Sequence, residues 1–401
     1  MKNVILAFIF IISCISVNAQ NTEIELITQT LQNYIEGSTN GKPQLLKKAF
    51  HPDLKLYYVK NDELKTWSGA LYILDTKEGK PTGESGKILN IDFENNAAIA
   101  KVEISHPKSK SPYIDYFMLL KTKGKWTIIH KMFTKKVASN ISFKNPKLEF
   151  LWETDSLLTD IESAIYDDKS NTIYTTNING HWLKKNGKGF ISKVNLEGKI
   201  TNLKWINNIE GPTGTAIYNN KLYVADFDKV LKINISTGEI EKSCLIKGTE
   251  RINDLTVSNN GAIYGTATKT GKLFAINNGK TTILNNNLNW PNGVLFENGK
   301  LLVGLGDKTV SFFDLKNQTQ KLLTNGISNP DGIVPIGNGD YLISSWEGMI
   351  HYVTKDGKKT LLLDTRKEKI NAADITYIPS KKMVLVPAML QNKLMAYKLI
   401  D

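Results

Sequence analysis

Arginine and cysteine are almost absent from this chain of 401 residues. Two arginines, Arg251 and Arg366, stand beside forty-nine lysines, and the two cysteines are Cys14 and Cys244. So few cysteines exclude thiolate metal clusters, and loss of an N-terminal leader would leave only Cys244, which excludes an intrachain disulfide. The net charge of +12 comes from scattered lysines without arginine clusters. We therefore expect a weakly cationic, solvated surface and no nucleic-acid partner.

The chain also lacks a long hydrophobic run. The longest apolar stretch, residues 4–12, falls far short of the roughly 20 residues that a membrane-spanning helix needs. It follows Lys2 and precedes a small-residue junction at Ala19-Gln20, which predicts a cleaved signal peptide over residues 1–19. The protein is then exported, periplasmic or secreted, with no transmembrane segment after processing. A buried N-terminal helix, or a lipoprotein anchor at Cys14, are the alternatives.

Residues 20–136 show an α+β pattern. Ile24, Ile27, Leu31 and Tyr34 recur at helical spacing, and Gly37 is placed to end that helix. A second short helix is expected over residues 43–50. Three alternating runs follow at residues 97–104, 113–120 and 126–133, and the last two are joined by a hairpin turn.

This region resembles the nuclear-transport-factor-2-like (NTF2-like) or lumazine-binding-like family. The likeness rests on residues 34–37, on Ala49-Phe50-His51-Pro52-Asp53, and on residues 115–121 with Gly124-Lys125-Trp126. It implies a curved sheet wrapped around helices to form a cone, and a homodimer through that sheet. His51, Asp115 and His130 form no recognisable nucleophile–base pair, so we interpret the domain as accessory.

A linker is expected over residues 137–147, and the sequence then repeats to residue 401. Six short strands open successive units roughly forty residues apart, which is the length of a four-stranded propeller blade. The sixth unit lacks an outer strand, and residues 148–153 look like that strand. Pairing the two chain ends would remove an exposed sheet edge. We predict an all-β six-bladed propeller over residues 148–401.

The innermost strands of a propeller line its central channel. The six residues that open these strands are Glu162, Thr213, Asn253, Asn292, Asp331 and Ala373. Glu162, Asn292 and Asp331 would supply two carboxylates and one amide oxygen, which are hard ligands for a divalent cation. No histidine or cysteine opens a strand, so Ca²⁺ is expected, with Mg²⁺, Mn²⁺ or Zn²⁺ also compatible. The alternative is that Asn-Gly and Asp-Gly are ordinary turn residues.

These segments resemble the SMP-30/gluconolactonase family of six-bladed, calcium-dependent lactonases. The residues that carry the likeness are 162–167, Arg251-Ile252-Asn253-Asp254, Pro291-Asn292-Gly293-Val294 and Pro330-Asp331-Gly332-Ile333. The resemblance implies that Glu162, Asn292 and Asp331 ligate the metal. It implies also that Arg251 and Asn253 bind substrate and that Asp331 is the catalytic acid/base. A surface salt bridge is the alternative role for Arg251.

The sequence thus favours an exported, divalent-metal-dependent hydrolase acting on a lactone, an ester or a sugar-like small molecule, with activated water at the propeller channel. The competing hypothesis is a non-catalytic propeller that binds a sugar, a peptide or a protein partner.

Overall fold

The computed structural model describes residues 23–109, 111–136 and 143–401. The predicted signal peptide, Cys14 and most of the predicted linker lie outside these residues. The chain divides into two compact units, one up to residue 138 and one from residue 139. Within the described ranges, no helix is long and apolar enough to cross a membrane.

In the described residues, the N-terminal unit contains three helices and one six-stranded sheet. Helix α1 covers residues 23–39 of the described chain. Helices α2 and α3 span Pro43–Ala49 and Gly69–Asp75. The strands are β1 (Phe50–Lys60), β2 (Glu63–Ser68), β3 (Ser85–Glu94), β4 (Ala97–Ser105), β5 (Tyr113–Thr122) and β6 (Lys125–Lys135). The sheet order is β2-β1-β6-β5-β4-β3, and only the β1–β6 pair is parallel.

The helical face predicted for α1 is largely confirmed, but the helix does not end at Gly37 as predicted. Ile27, Leu31 and Tyr34 are buried, whereas Ile24 is 40% exposed. Helix α1 runs through Gly37 to residue 39. A Cβ at Gly37 would lie 2.7 Å from the side chain of Leu46 in α2, so this glycine allows two helices to pack closely. The left-handed residue that follows the helix is Gly41, with a φ of 62°.

A buried ionic cluster crosses the core of this unit. The Nζ of Lys131 lies 3.0 Å from Asp115 Oδ2 and donates to the Tyr34 hydroxyl at 2.6 Å. That hydroxyl donates in turn to Asp115 at 2.6 Å. All three side chains are at most 5% exposed, and their polar atoms satisfy one another. Asp115 is therefore a structural carboxylate inside the unit.

The C-terminal unit consists of six four-stranded antiparallel sheets. In chain order and from the first strand outward, the first two sheets contain β8 (Ile161–Asp167), β9 (Thr172–Asn177), β10 (Gly189–Val194) and β11 (Ile200–Ile209), and β12 (Pro212–Tyr218), β13 (Lys221–Asp226), β14 (Lys229–Asn234) and β15 (Ile240–Leu245). The third and fourth contain β16 (Ile252–Val257), β17 (Ile263–Ala267), β18 (Lys272–Asn277) and β19 (Lys280–Asn285), and β20 (Val294–Glu297), β21 (Lys300–Gly304), β22 (Thr309–Asp314) and β23 (Gln320–Asn325). The last two contain β24 (Pro330–Gly337), β25 (Asp340–Ser345), β26 (Met349–Val353) and β27 (Lys359–Asp364), and β28 (Thr376–Ile378), β29 (Met383–Ala388), β30 (Lys393–Ile400) and β7 (Lys147–Glu153).

The first strands of successive sheets meet in cyclic order. Strands β8, β12, β16, β20, β24 and β28 each contact the next, and β28 contacts β8. A parallel bridge between Ser163 and Asp374 joins the first sheet to the last. Strand β7 pairs with β30, as expected for a closing strand from the other end of the repeats. Hydrophobic clusters fill the spaces between neighbouring sheets. The unit is thus mostly β and propeller-like.

Candidate functional site

One cavity of about 430 Å³ opens at the end of the sheets where the first strands begin and the second strands end. Antiparallel pairing brings the start of each first strand next to the end of its partner. Residues from several sheets therefore line a single space. They are Glu162, Ile178, Trp182, Arg251, Asn253, Thr268, Trp290, Asn292, Asn329, Asp331, Trp346 and Met389.

All five residues singled out from the sequence lie in this lining. Glu162 is the second residue of β8, Asn253 is the second of β16, and Asp331 is the second of β24. Arg251 directly precedes β16, and Asn292 lies two residues before β20. Positions far apart along the chain therefore converge on one cavity, and their chemical roles stay predictions.

The three candidate metal ligands each present an oxygen that is buried and unsatisfied. Glu162 Oε2, Asn292 Oδ1 and Asp331 Oδ1 find no hydrogen-bond partner within the described parts of the chain. Leaving such atoms unpaired in a protein interior costs about 1–3 kcal/mol each. Two carboxylates and an amide are also the donor set that a hard divalent cation prefers. The residues present therefore fit a cation.

Histidine and a third carboxylate do not contribute to this donor set. Among the described residues, no group of three or more His, Cys, Asp or Glu side chains is arranged to hold a metal. The candidate set instead combines two carboxylates with the amide of Asn292. Water would have to complete the coordination sphere, as is usual for Ca²⁺ and Mg²⁺.

Buried carboxyl groups in and around the cavity dominate the electrostatics of the candidate site. Burial, together with the charges on Asp331 and Asp374, raises the pKa of Glu162 well above its usual range. Burial and the charge on Asp374 likewise raise the pKa of Asp331, although a hydrogen bond from Asn292 opposes this effect. Burial also raises the pKa of Asp254 and brings that of Asp374 to about 7. This excess of buried negative charge would be relieved by a bound cation.

Two of these carboxylates are structurally satisfied. Asp254 accepts the backbone N–H of Leu255 at 2.6 Å and that of Val294 at 2.7 Å. Asp374 accepts the hydroxyl of Ser163 at 2.7 Å. Asp254 and Asp374 therefore tie neighbouring first strands together, and the orphaned oxygens belong to Glu162, Asn292 and Asp331.

The glycines beside the candidate ligands are packing residues. A Cβ at Gly293 would lie 1.6 Å from the carbonyl oxygen of Asp331, and one at Gly332 would lie 2.2 Å from the backbone nitrogen of Ile375. Gly332 lies inside strand β24. The alternative interpretation of Asn-Gly and Asp-Gly as ordinary turns is therefore wrong at Gly332. Both glycines let neighbouring backbone segments of this unit approach each other closely.

Arg251 is buried under the cavity and not on the surface. It is 2% exposed, and its Nη1 donates to the carbonyl of Gly211 at 2.8 Å. Burial lowers its pKa to about 10, although Glu162 and Asp226 favour the charged form. Its Nε has no partner among the described atoms. The surface salt bridge considered from the sequence is therefore wrong, and one buried N–H of the guanidinium stays without a partner.

Sequence reasoning missed the apolar wall of the cavity. Trp182 and Ile178 follow β9, Trp346 follows β25, Met389 follows β29, and Trp290 precedes β20. Four of these residues share one signal, because each comes within five positions of the end of a second strand. That signal becomes informative once the strand boundaries are known.

The comparisons with known proteins agree with the two-part fold. Residues 22–134 match a family model described as "Putative lumazine-binding", which confirms the lumazine-binding/NTF2-like prediction for the N-terminal unit. The aldolase FrzH of Cladobotryum sp. is 28% identical over 115 residues, which cover 28% of this chain and 91% of the aldolase.

Two solved structures are also similar to parts of this chain. A gluconolactonase from Xanthomonas campestris, XC5397, is similar over 64% of this chain and 91% of its own, with a TM-score of 0.50 and 15% identity. The propeller-like part of the chain therefore has the fold of that protein. An NTF2-like protein of unknown function from Shewanella baltica OS155 is 25% identical over 29% of this chain and 96% of its own, with a TM-score of 0.26.

Proposed function

We propose that the protein is an exported, divalent-metal-dependent hydrolase of a lactone or an ester. Its C-terminal unit acts as a six-bladed propeller, which the six four-stranded sheets and the cyclic contacts of their first strands support. The cation is held by Glu162, Asn292 and Asp331. The observation that carries the proposal is the convergence of their three unsatisfied, buried oxygens on one cavity. Oxygen ligands favour Ca²⁺ over softer ions.

A divalent ion bound there would polarise the substrate carbonyl and lower the pKa of a water molecule. Asp331 takes a proton from the attacking water while the water oxygen forms its bond to the carbonyl carbon. The carbon–oxygen bond to the alcohol then breaks. Asp331 returns the proton to the departing alkoxide, so the carboxylate is regenerated and one water is consumed for each ester bond.

Arg251 and Asn253 orient the substrate in this scheme. The guanidinium of Arg251 is held in place by Gly211 and keeps an unpaired N–H, which can donate to a substrate oxygen. The amide nitrogen of Asn253 donates to Thr268 at 3.0 Å, which fixes the rotamer of that side chain. Both residues are thus held in one orientation before substrate arrives.

The test is a pH-indicator assay of lactone and ester hydrolysis by the purified full chain, with and without a chelator. We expect chelation to abolish turnover, Ca²⁺ to restore it, and Asp331→Asn to remove both bound metal and activity. Asp356→Asn is the matched control, because Asp356 is an exposed carboxylate in the turn between β26 and β27 of the same sheet. Unchanged turnover in Asp331→Asn would refute the assignment.

The competing function, a non-catalytic binding module, predicts a different outcome of the same experiment. Stoichiometric metal in the wild-type protein, with no turnover of any lactone or ester, would favour a binding propeller. A protein that neither binds metal nor turns over substrate would exclude both forms of the metal-site hypothesis.

We also propose that the N-terminal unit forms a homodimer through the exposed face of its sheet. Ile99 is paired with Met118 across β4 and β5, and Tyr116 is paired with Met132 across β5 and β6. These four side chains are 39–53% exposed, which leaves adjacent apolar residues in contact with solvent. Light scattering should give twice the mass of the chain, and Met118→Glu should give the monomer. A monomeric wild-type protein would refute the proposal.

A further inference from the structure

The apolar wall of the cavity lies beside a polar floor formed by Glu162, Asn292 and Asp331. Three of the seven tryptophans in the chain, Trp182, Trp290 and Trp346, line it together with Ile178 and Met389. The rings of Trp182 and Trp290 meet edge to face, with centroids 6.4 Å apart. Trp290 is 47% exposed and Trp346 is 38% exposed. Exposed aromatic surface clustered at the mouth of one cavity marks a place where an apolar ligand packs.

Two of the polar side chains that line the cavity are already engaged in hydrogen bonds. Thr268 donates its hydroxyl to the carbonyl of Pro291 at 2.7 Å and accepts from Asn253. The amide nitrogen of Asn329 donates to Glu347 at 2.6 Å. The hydroxyls of a sugar lactone would therefore lose water without gaining these partners, which is unfavourable. The wall consequently favours an apolar substituent over a polyhydroxylated one.

The position of Trp290 is held against local conformational preference. Its φ is 47°, in the left-handed region that bulky residues avoid. Its Cβ occupies space that a side chain at position 306 would need, since a Cβ at Gly306 would lie 2.7 Å from it. Strained backbone of this kind clusters at ligand-binding sites, where the surrounding structure over-determines it. The surrounding packing thus holds the backbone at Trp290 in a conformation that leaves its indole ring in the cavity lining.

We infer that the substrate is a lactone or ester that carries a bulky apolar substituent, aromatic in the simplest case. This inference rests on the proposed hydrolase function and names its substrate class. The carbonyl meets the floor at Glu162, Asn292 and Asp331, while the substituent packs against Trp182, Trp290 and Trp346. The cavity volume of about 430 Å³ accommodates both parts of such a molecule.

The experiment compares three lactones that share one six-membered ring: δ-valerolactone, a phenyl-substituted δ-valerolactone and glucono-δ-lactone. We expect kcat/KM to be highest for the phenyl compound, about tenfold above δ-valerolactone, because one well-placed aromatic contact is worth up to about that factor. This ratio should fall about tenfold in Trp290→Ala. Trp346→Ala is an independent variant, because Trp346, unlike Trp290, does not have a left-handed backbone that the substitution could relieve. Phe150→Ala, at an exposed aromatic of the closing strand β7, should leave the ratio unchanged.

A second readout separates the two hypotheses. The phenyl-substituted lactam of the same ring resists hydrolysis, and its binding can be followed by quenching of tryptophan fluorescence. Equal turnover of the three lactones, or a preference for glucono-δ-lactone, overturns the substrate inference and leaves the hydrolase in place. No turnover of any lactone here or of any ester in the pH-indicator assay, with lactam binding that depends on Trp290, overturns the hydrolase and with it the substrate inference, and assigns the cavity to binding alone.

Discussion

Calcium should stabilise the C-terminal unit by relieving three unsatisfied oxygens. Each unpaired, buried polar atom costs about 1–3 kcal/mol, so Glu162, Asn292 and Asp331 together leave roughly 3–9 kcal/mol that a cation can recover. At a hundredfold excess over the dissociation constant, binding to the folded state alone adds about 2.7 kcal/mol. For a domain of this size that corresponds to a rise in Tm of about 5–11 °C. Differential scanning calorimetry of the full chain, with Ca²⁺ and with a chelator, measures the shift.

Two substitutions make this prediction specific. Glu162→Gln should abolish most of the calcium-dependent shift because it removes a charged ligand. It should also raise the Tm of the metal-free protein, since burial and neighbouring carboxylates raise the pKa of Glu162 and make its ionised form unfavourable. Asp356→Asn should retain the full shift. The reasoning fails if Ca²⁺, Mg²⁺ and Mn²⁺ leave the Tm unchanged up to about 10 mM, above the weakest protein calcium sites. It fails equally if Glu162→Gln behaves like the control.

Three further predictions follow from other parts of the structure. Arg251→Lys should lower kcat/KM about tenfold or more, because an ammonium lacks the rigid planar fork that lets Arg251 donate to Gly211 and to substrate in two fixed directions; Arg366→Lys, at an exposed ion pair, should not, and equal effects would contradict the role of Arg251. Lys131→Ala should destabilise the N-terminal unit by about 3–5 kcal/mol, because it leaves Asp115 buried without its cationic partner; urea unfolding that matches wild type would refute this. Burial and nearby cations lower the pKa of His351 below its ordinary value of 6.5, so the unfolded state binds more protons and stability should be lost as pH falls through 6.5. His351→Phe should flatten that slope in urea unfolding at pH 5–7, and an unchanged slope would contradict it.

Much of the architecture was accessible from local pattern. Strand alternation and turn residues recur in each repeat, and they placed Glu162, Asn253 and Asp331 at the start of first strands, where each is the second residue of its strand. The missing outer strand of the last repeat correctly pointed to the pairing of β7 with β30. These features depend on side-chain period and on spacing along the chain, which are local properties.

Errors arose where a residue is explained by a distant neighbour. Gly37 was expected to end a helix, but it accommodates Leu46 of the next helix. The turn role weighed as the alternative for Gly332 fails for the same reason, because this glycine accommodates the backbone at Ile375. A glycine signals either backbone freedom or close approach, and only the identity of its spatial neighbours separates the two.

The sequence alone determined the repeat of roughly forty residues, the residues that open the first strands and the chemical character of those residues. A carboxylate or an amide keeps its donor chemistry wherever it lies, so a candidate ligand set could be recognised from the sequence alone. Tertiary structure decided which oxygens remain unsatisfied, that Arg251 is buried, and that tryptophans from different sheets share one cavity. Convergence and burial depend on how the six sheets meet around an axis, and that arrangement arises from long-range packing that no local segment encodes.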